Sequence, residues 1–184
     1  MALAGASGMI MGVDYARDTA RLATPIGVVE VVGTDATIEH VRVLAEAVPV
    51  GASAAAVALA ADQLERYFAG ELRSFDLPLV PLRTPRGPAM RDAMAAIGYG
   101  DTRSYGEVAA AIGSSARAIG QACRTNAYPI IVPCHRVLAA SGRDNYSAGD
   151  GLVTKRWLLD HERRHGGVAG QTAMAFSLAR RSGE

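Results

Sequence analysis

The sequence predicts a two-part chain: an α/β N-terminal domain, then a mainly α domain containing a helix-turn-helix. Three observations carry this. β-Branched residues and turn signals concentrate between Arg21 and Val48. Leu77–Pro88 holds four prolines and is excluded from helix interiors and central strands. Beyond it, short amphipathic segments are punctuated by glycine-containing turns. At 184 residues and 49% hydrophobic, the chain is long and apolar enough to build a core, and wholesale disorder is excluded.

Residues 1–20 read as an N-terminal arm. Met1–Val13 is apolar, but it lacks the basic start of a secretory leader and is too short to span a bilayer. Residues 21–76 form the α/β unit. Arg21–Val32 predicts a hairpin, with Pro25 and Gly27 as turn signals and Val28, Val29, Val31 and Val32 as strand formers. Gly33-Thr34-Asp35 makes a turn, and Ile38–Val48 fits either a strand or a short helix. Ser53 is placed to cap a helix over Ala54–Ala69, where Val57, Leu59, Leu64, Tyr67 and Phe68 recur at helical spacing and Gly70 is a natural stop.

Residues 77–88 are the linker, and 89–165 the second unit. Ala89–Ile97 predicts a short amphipathic helix closed by Gly98-Tyr99-Gly100. Ser104-Tyr105-Gly106-Glu107 has the form of a capping box and starts a helix carrying Val108, Ala109 and Ile112. Gly113-Ser114-Ser115 turns the chain into a second helix, Ala116–Arg124. Helix, glycine turn, helix is the pattern of a DNA reader, with Arg117 in the first turn of the second helix; a plain helical hairpin is the bland alternative. Leu138–Gly151 is a polar loop. Leu152–Arg164 predicts the last helix, with Leu152, Trp157, Leu158 and His161 near one face. The tail, 166–184, is expected to be a weak helix or disordered.

Net charge is +1, but it is unevenly placed: residues 1–82 carry −5 and residues 83–165 carry +5. A basic second half suits a polyanion, or reflects scatter over solvated faces. The two cysteines, Cys123 and Cys134, form no CxxC pair, so a reducing, cytoplasmic setting fits better than a disulfide framework. The four histidines give no zinc spacing, and no metal is expected.

The chemistry points to Pro129–Val137. Its apolar run reads as a short buried strand ended by Pro133, leaving Cys134 at the strand end with His135 and Arg136 directly behind. Two basic groups there are expected to lower the thiol pKa. A free thiol near ~8.5 is only a few per cent ionised at neutral pH, so an efficient nucleophile also needs a base. Neighbours on a strand point to opposite faces, which makes a bridging water the easier route from Cys134 to His135. Glu162 or Asp160 would orient the imidazole. Taken singly, an inert buried thiol, a surface histidine and a solvated glutamate are the bland readings.

Ile131-Val132-Pro133-Cys134-His135-Arg136-Val137 resembles the active-site signature of the O6-alkylguanine-DNA alkyltransferases. So do Ser104–Ala109, Ala116–Gly120 with Arg124 and Asn126, Tyr146-Ser147, and Lys155 with Trp157–Leu159 and His161-Glu162; Thr24–Gly27 and Gln63–Phe75 resemble it more weakly. The resemblance implies a ribonuclease H-like N-terminal domain and a winged-helix-like C-terminal domain. It implies a protein that binds duplex DNA carrying O6-alkylguanine, flips the base, and moves a methyl or other alkyl group (thymine O4 included) onto Cys134, irreversibly and once per molecule. His135 would act through water with Glu162 behind it, Tyr105 would protonate the leaving guanine, and Asn126 would brace the site. Arg117, Arg124, Tyr105 and Ser115 would contact DNA, with Arg117 filling the gap in the stack. Tyr146, Ser147 and the backbone at Val137 would read the base. No cofactor and no membrane are implied, and the protein is expected to be a monomer.

Two stretches depart from that family's pattern. Its Phe-x-x-x-Val-Trp helix start is replaced by Thr84–Met90, with Met90 and Met94 as apolar residues. Tyr146–Leu152 is two residues longer than the family loop and places Asp150 in a segment expected to face the lesion. That change supports an alternative, an alkyl-lesion-binding module with weak or absent transfer. A cysteine hydrolase using Cys134 and His135 is a remoter third reading.

Overall fold

The computed structural model describes residues 16–140, 142 and 144–166. The predicted arm through Val13 and the tail beyond Gly166 lie outside them. Strands β1 (Asp18–Thr24), β2 (Gly27–Gly33) and β3 (Ile38–Leu44) form an antiparallel sheet in the order β1-β2-β3. The first strand starts at Asp18, inside the segment read as an arm, because its pairing with β2 runs to Asp18↔Gly33. At the hairpin Gly27 has φ +105°, and a side chain there would run into the Leu44 carbonyl. The ambiguous third segment is a strand.

Helix α1 (Ala55–Phe68) covers the sheet. Val57, Ala60, Leu64 and Tyr67 meet Val29, Val31 and Ile38, all fully buried. Burying each large aliphatic side chain is worth about 1.5–3 kcal/mol. The helix start differs from the expectation. Ser53 does not cap it. The Asp18 carboxylate accepts the backbone N–H of Ser53 (2.6 Å) and Ala54 (2.8 Å), and Asp35 accepts that of Ala55 (2.8 Å). The cap comes from the sheet, so no local pattern announces it. Hydrogen bonds to Ala54, Thr19 and Ser53 hold Asp18 down to about 2.

The second unit contains α2 (Gly87–Ala95), β4 (Arg103–Ser104), α3 (Tyr105–Ala111), α4 (Ala116–Arg124), β5 (Val137–Leu138) and α5 (Leu152–His165). Helix α2 starts at Gly87, with Pro88 in its first turn, where a missing N–H is harmless. The capping box forms: Ser104 Oγ accepts from Glu107 N at 3.2 Å, and Glu107 accepts from Ser104 N at 2.7 Å. Strands β4 and β5 pair in parallel for two residues each. Val41 N donates to Ala127 O at 2.8 Å, joining the edge of the three-stranded sheet to the segment leading to the cysteine.

Pro129–Val132 is not a strand. It folds as successive turns, with Val132 N bonded to Tyr128 O at 2.8 Å and Ile130 at φ +76°. The apolar run reported burial, which it has; the flanking prolines and the Asn126 side chain set its conformation. A β-branched residue at positive φ costs about 1–3 kcal/mol, which complete burial of Ile130 offsets. On α5 the buried side chains are Thr154, Lys155, Leu158, His161 and Glu162, while Leu152 is exposed. Among the described residues no helix is long and apolar enough to cross a membrane.

Candidate active site

Cys134 opens a single turn of 3-10 helix, Cys134–Arg136, and is 5% exposed. It lies in the wall of a cavity of about 590 Å³ between α3, α4 and the loop before α5. Tyr105, Cys123, Arg124, Asn145, Tyr146 and Ser147 line the same space. That volume suits a base-sized ligand.

Asn126 braces the thiol. Its Nδ2 donates to Cys134 Sγ (3.1 Å) and to Val132 O (2.8 Å), and its Oδ1 accepts from Tyr128 N (3.0 Å). All three bonds fix the turn that carries Cys134. Burial pushes the thiol pKa up, and the Asn126 hydrogen bond and the Lys155 charge only partly oppose it. The expectation of a lowered thiol therefore fails. Arg136 and His135 are adjacent in sequence, but both side chains are drawn toward Glu162.

Glu162, 0% exposed, is the hub behind the thiol. It accepts from His135 Nε2 (2.8 Å), Tyr67 Oη (2.9 Å), Gly100 N (3.1 Å), Arg136 Nε (2.9 Å) and an Arg136 terminal nitrogen (2.9 Å). Burial alone would raise its carboxyl. The hydrogen bonds from His135 and Arg136, together with the Arg136 charge, outweigh this and hold it at about 2. Burial lowers His135 against the pull of Glu162, and the Arg136 charge lowers it further, so the imidazole is neutral. An ionised carboxylate only accepts, so Nε2 carries the ring proton and Nδ1 keeps the lone pair. Nδ1 is buried and meets no hydrogen-bonding partner among the described residues. Asp160, the other carboxylate considered, is exposed and paired with Arg163.

The remaining predicted residues sort by face. Arg117 and Arg124 are exposed on α4. Ser115 is the N-cap of α4, its hydroxyl accepting from Ala118 N at 3.2 Å. Burial raises Tyr105 to about 12, and the Tyr146 hydroxyl is buried, without a partner among the described residues, and held well above its usual range. Ser147 Oγ reaches Arg124 O at 3.4 Å. Val137 is fully buried and does not line the cavity, and its carbonyl accepts from Lys155 Nζ at 2.7 Å. Asp150 does not line the cavity. The longer loop is absorbed at the start of α5, where Asp150 N donates to Thr154 Oγ1 (3.0 Å) and Gly151 N to Ala148 O (3.1 Å). Cys123 is buried against Met94 yet borders the cavity, and burial takes its thiol up to about 12.

Sequence reasoning missed Tyr67 as part of the site, set Arg136 against the thiol and not against Glu162, and gave Lys155 no role. Arg136 also donates to Ile97 O at 2.6 Å and lies over the Tyr99 ring. Tyr67 reaches the site from the other unit of the chain. A lysine on the buried face of α5 was the available signal for Lys155. Among the described residues no group of three or more His, Cys, Asp or Glu is gathered as for a metal.

Residues 19–81 match the ribonuclease-like domain of 6-O-methylguanine DNA methyltransferase, and residues 88–164 match its DNA-binding domain. The methylated-DNA–protein-cysteine methyltransferase of Mycolicibacterium paratuberculosis is 40% identical over 149 residues, spanning 77% of this chain and 90% of that protein. The constitutive enzyme of that name from Bacillus subtilis is 44% identical over 109 residues, 58% of this chain and 66% of its own length. The crystal structure of the Mycobacterium tuberculosis O6-methylguanine methyltransferase superposes with a TM-score of 0.71 at 35% identity, covering 86% of this chain and 99% of that one. A structure of the Mycobacterium tuberculosis OGT in complex with DNA gives 0.68 at 37% identity, covering 80% and 93%.

Proposed function

This chain belongs to the 6-O-methylguanine DNA methyltransferase family, and from that premise we propose that it repairs duplex DNA by taking a methyl or other alkyl group from guanine O6 onto Cys134. The observation that carries this reading is a buried thiol facing a base-sized cavity with a neutral, carboxylate-oriented histidine behind it. Helix α4 docks on the duplex through Arg117, Arg124 and the turn at Ser115. The damaged base leaves the stack and enters between Tyr105 and the Tyr146-Ser147 loop.

The thiol proton passes through a water molecule to His135 Nδ1. Cys134 Sγ attacks the alkyl carbon, the carbon–O6 bond breaks, and its electron pair remains on guanine. A guanine anion leaves poorly, so Tyr105 donates a proton as the bond breaks. The thioether has no route back, so each molecule acts once. No cofactor takes part, and a monomer suffices. Residues 148–151 of the longer loop do not line the cavity, which removes the main support for a binding module without transfer.

Intact-protein mass spectrometry after mixing with O6-methylguanine duplex DNA tests the proposal. One methyl group should appear per protein, on Cys134, and none in Cys134→Ala. Normal DNA binding with no adduct would refute it.

A further inference from the structure

The cation that supports Cys134 is not a sequence neighbour. Arg136 is consumed by Glu162 and Ile97 O. Lys155, on α5, is 2% exposed, with Nζ 2.7 Å from Val137 O and 3.5 Å from Asp144 Oδ2. Asp144 Oδ1 in turn accepts from Ala139 N at 2.6 Å. A buried ammonium is retained only where it is paired. These bonds fasten both ends of the segment from Val137 to Asp144, which leads directly into Tyr146 and Ser147.

We propose that Lys155 is a positioning residue for the transfer: it holds the base-facing loop over Cys134, and its charge, partly cancelled by Asp144, steadies the negative charge that develops on Sγ. This rests on Cys134 being the alkyl acceptor. Tyr105 from α3, Cys123 and Arg124 from α4 and Tyr146 from the loop share the cavity with the thiol; Lys155 from α5, paired with Asp144, and His135 with the Glu162–Arg136 pair lie behind it. Burial keeps Tyr105, Cys123 and Tyr146 neutral. Lys155 lowers the thiol against burial, while burial lowers Lys155 and Asp144 opposes that.

The test is the pH dependence of Cys134 alkylation by iodoacetamide in the full chain, with Cys123 followed separately by peptide mapping. Iodoacetamide needs neither DNA nor a flipped base, so it reads the thiol alone. Lys155→Met should raise the midpoint and slow alkylation below it roughly threefold or more. Asp144→Asn keeps an acceptor for Ala139 N but removes the anion, and should lower the midpoint and speed alkylation by a similar factor. Lys155→Arg should keep the wild-type midpoint. A purely structural clamp predicts that Lys155→Met and Asp144→Asn loosen the same loop and move the rate the same way; that result, or an unmoved midpoint in Asp144→Asn, overturns the proposal. If Lys155→Met does not fold, Asp144→Asn decides alone. Wild type is run in parallel with methylated DNA: failure to take the methyl group there overturns the repair function, while the iodoacetamide midpoints still decide the role of Lys155.

Discussion

Glu162→Gln removes the charge at the hub of the site while keeping its shape. The wild-type carboxyl sits at about 2 instead of its ordinary 4.5. A depressed folded-state value contributes stability that is complete above the unfolded value near 4.5 and is lost as pH falls toward 2. The difference corresponds to about 3 kcal/mol. The variant also leaves the Arg136 guanidinium buried without a counter-charge, a change that costs about 3–5 kcal/mol at neutral pH. The variant has no carboxyl to protonate, so its deficit against wild type should shrink as pH drops from 5 to 2. Urea unfolding at several pH values, followed by fluorescence of Trp157, the single tryptophan, measures both quantities. Trp157 stacks on His161 with ring centroids 4.9 Å apart, next to the hub. A neutral-pH deficit under about 1 kcal/mol, or one that does not change with pH, would refute the electrostatic account. Transfer should also slow by about 10²–10⁴, because a glutamine amide no longer dictates which ring nitrogen of His135 carries the proton.

Other substitutions separate the proposed roles. Tyr105→Phe should slow single-turnover transfer by about 10² with duplex affinity unchanged in a gel-shift titration; an unaltered rate removes Tyr105 from proton donation. Arg117→Ala, on an exposed position, should leave stability within about 0.5 kcal/mol and weaken transfer from duplex DNA, but not transfer from the free alkylated base. Equal loss on both substrates would contradict a role confined to base extrusion. Asn126→Ala breaks three short hydrogen bonds and should cost about 2–3 kcal/mol in urea unfolding together with slower transfer.

What the sequence revealed depended on distance along the chain. The capping box at Ser104 and Glu107 is complete within four residues, and it formed as read. The hairpin at Pro25 and Gly27 and the helix Ala116–Arg124 are equally local, and both formed. The Asp18 cap was invisible because its partners lie some thirty-five residues away. Pro129–Val132 misled because an apolar run records burial and not conformation; the side chain that folds it belongs to Asn126. The resemblance picked out Cys134, His135 and Glu162, and the structure bonds His135 to Glu162 in the turn that Cys134 opens. The contribution of Tyr67, 95 residues from Glu162, was not legible.

Arg136 shows how far sequence adjacency misleads about charge. Beside Cys134 in the chain, it promised a thiolate. In space it faces away from the thiol, and its effect falls on the base instead. A buried histidine bonded to a lone carboxylate tends to hold its proton, because the imidazolium–carboxylate pair is self-stabilising. Such a histidine has no lone pair left to receive a proton from sulfur. Burial is the main force that keeps His135 neutral, and Arg136 adds to it by neutralising Glu162 and disfavouring a second positive charge on the ring. The carboxylate can then fix the tautomer without charging the ring, and Nδ1 remains basic. Burial meanwhile keeps the resting thiol protonated, and a protonated thiol is a poor target for oxidants and stray electrophiles. For a protein proposed to act once, that restraint matters as much as reactivity: the acceptor must survive until an alkylated base occupies the cavity, and only then do the sulfur, the proposed base at His135 and the proposed proton donor at Tyr105 act together.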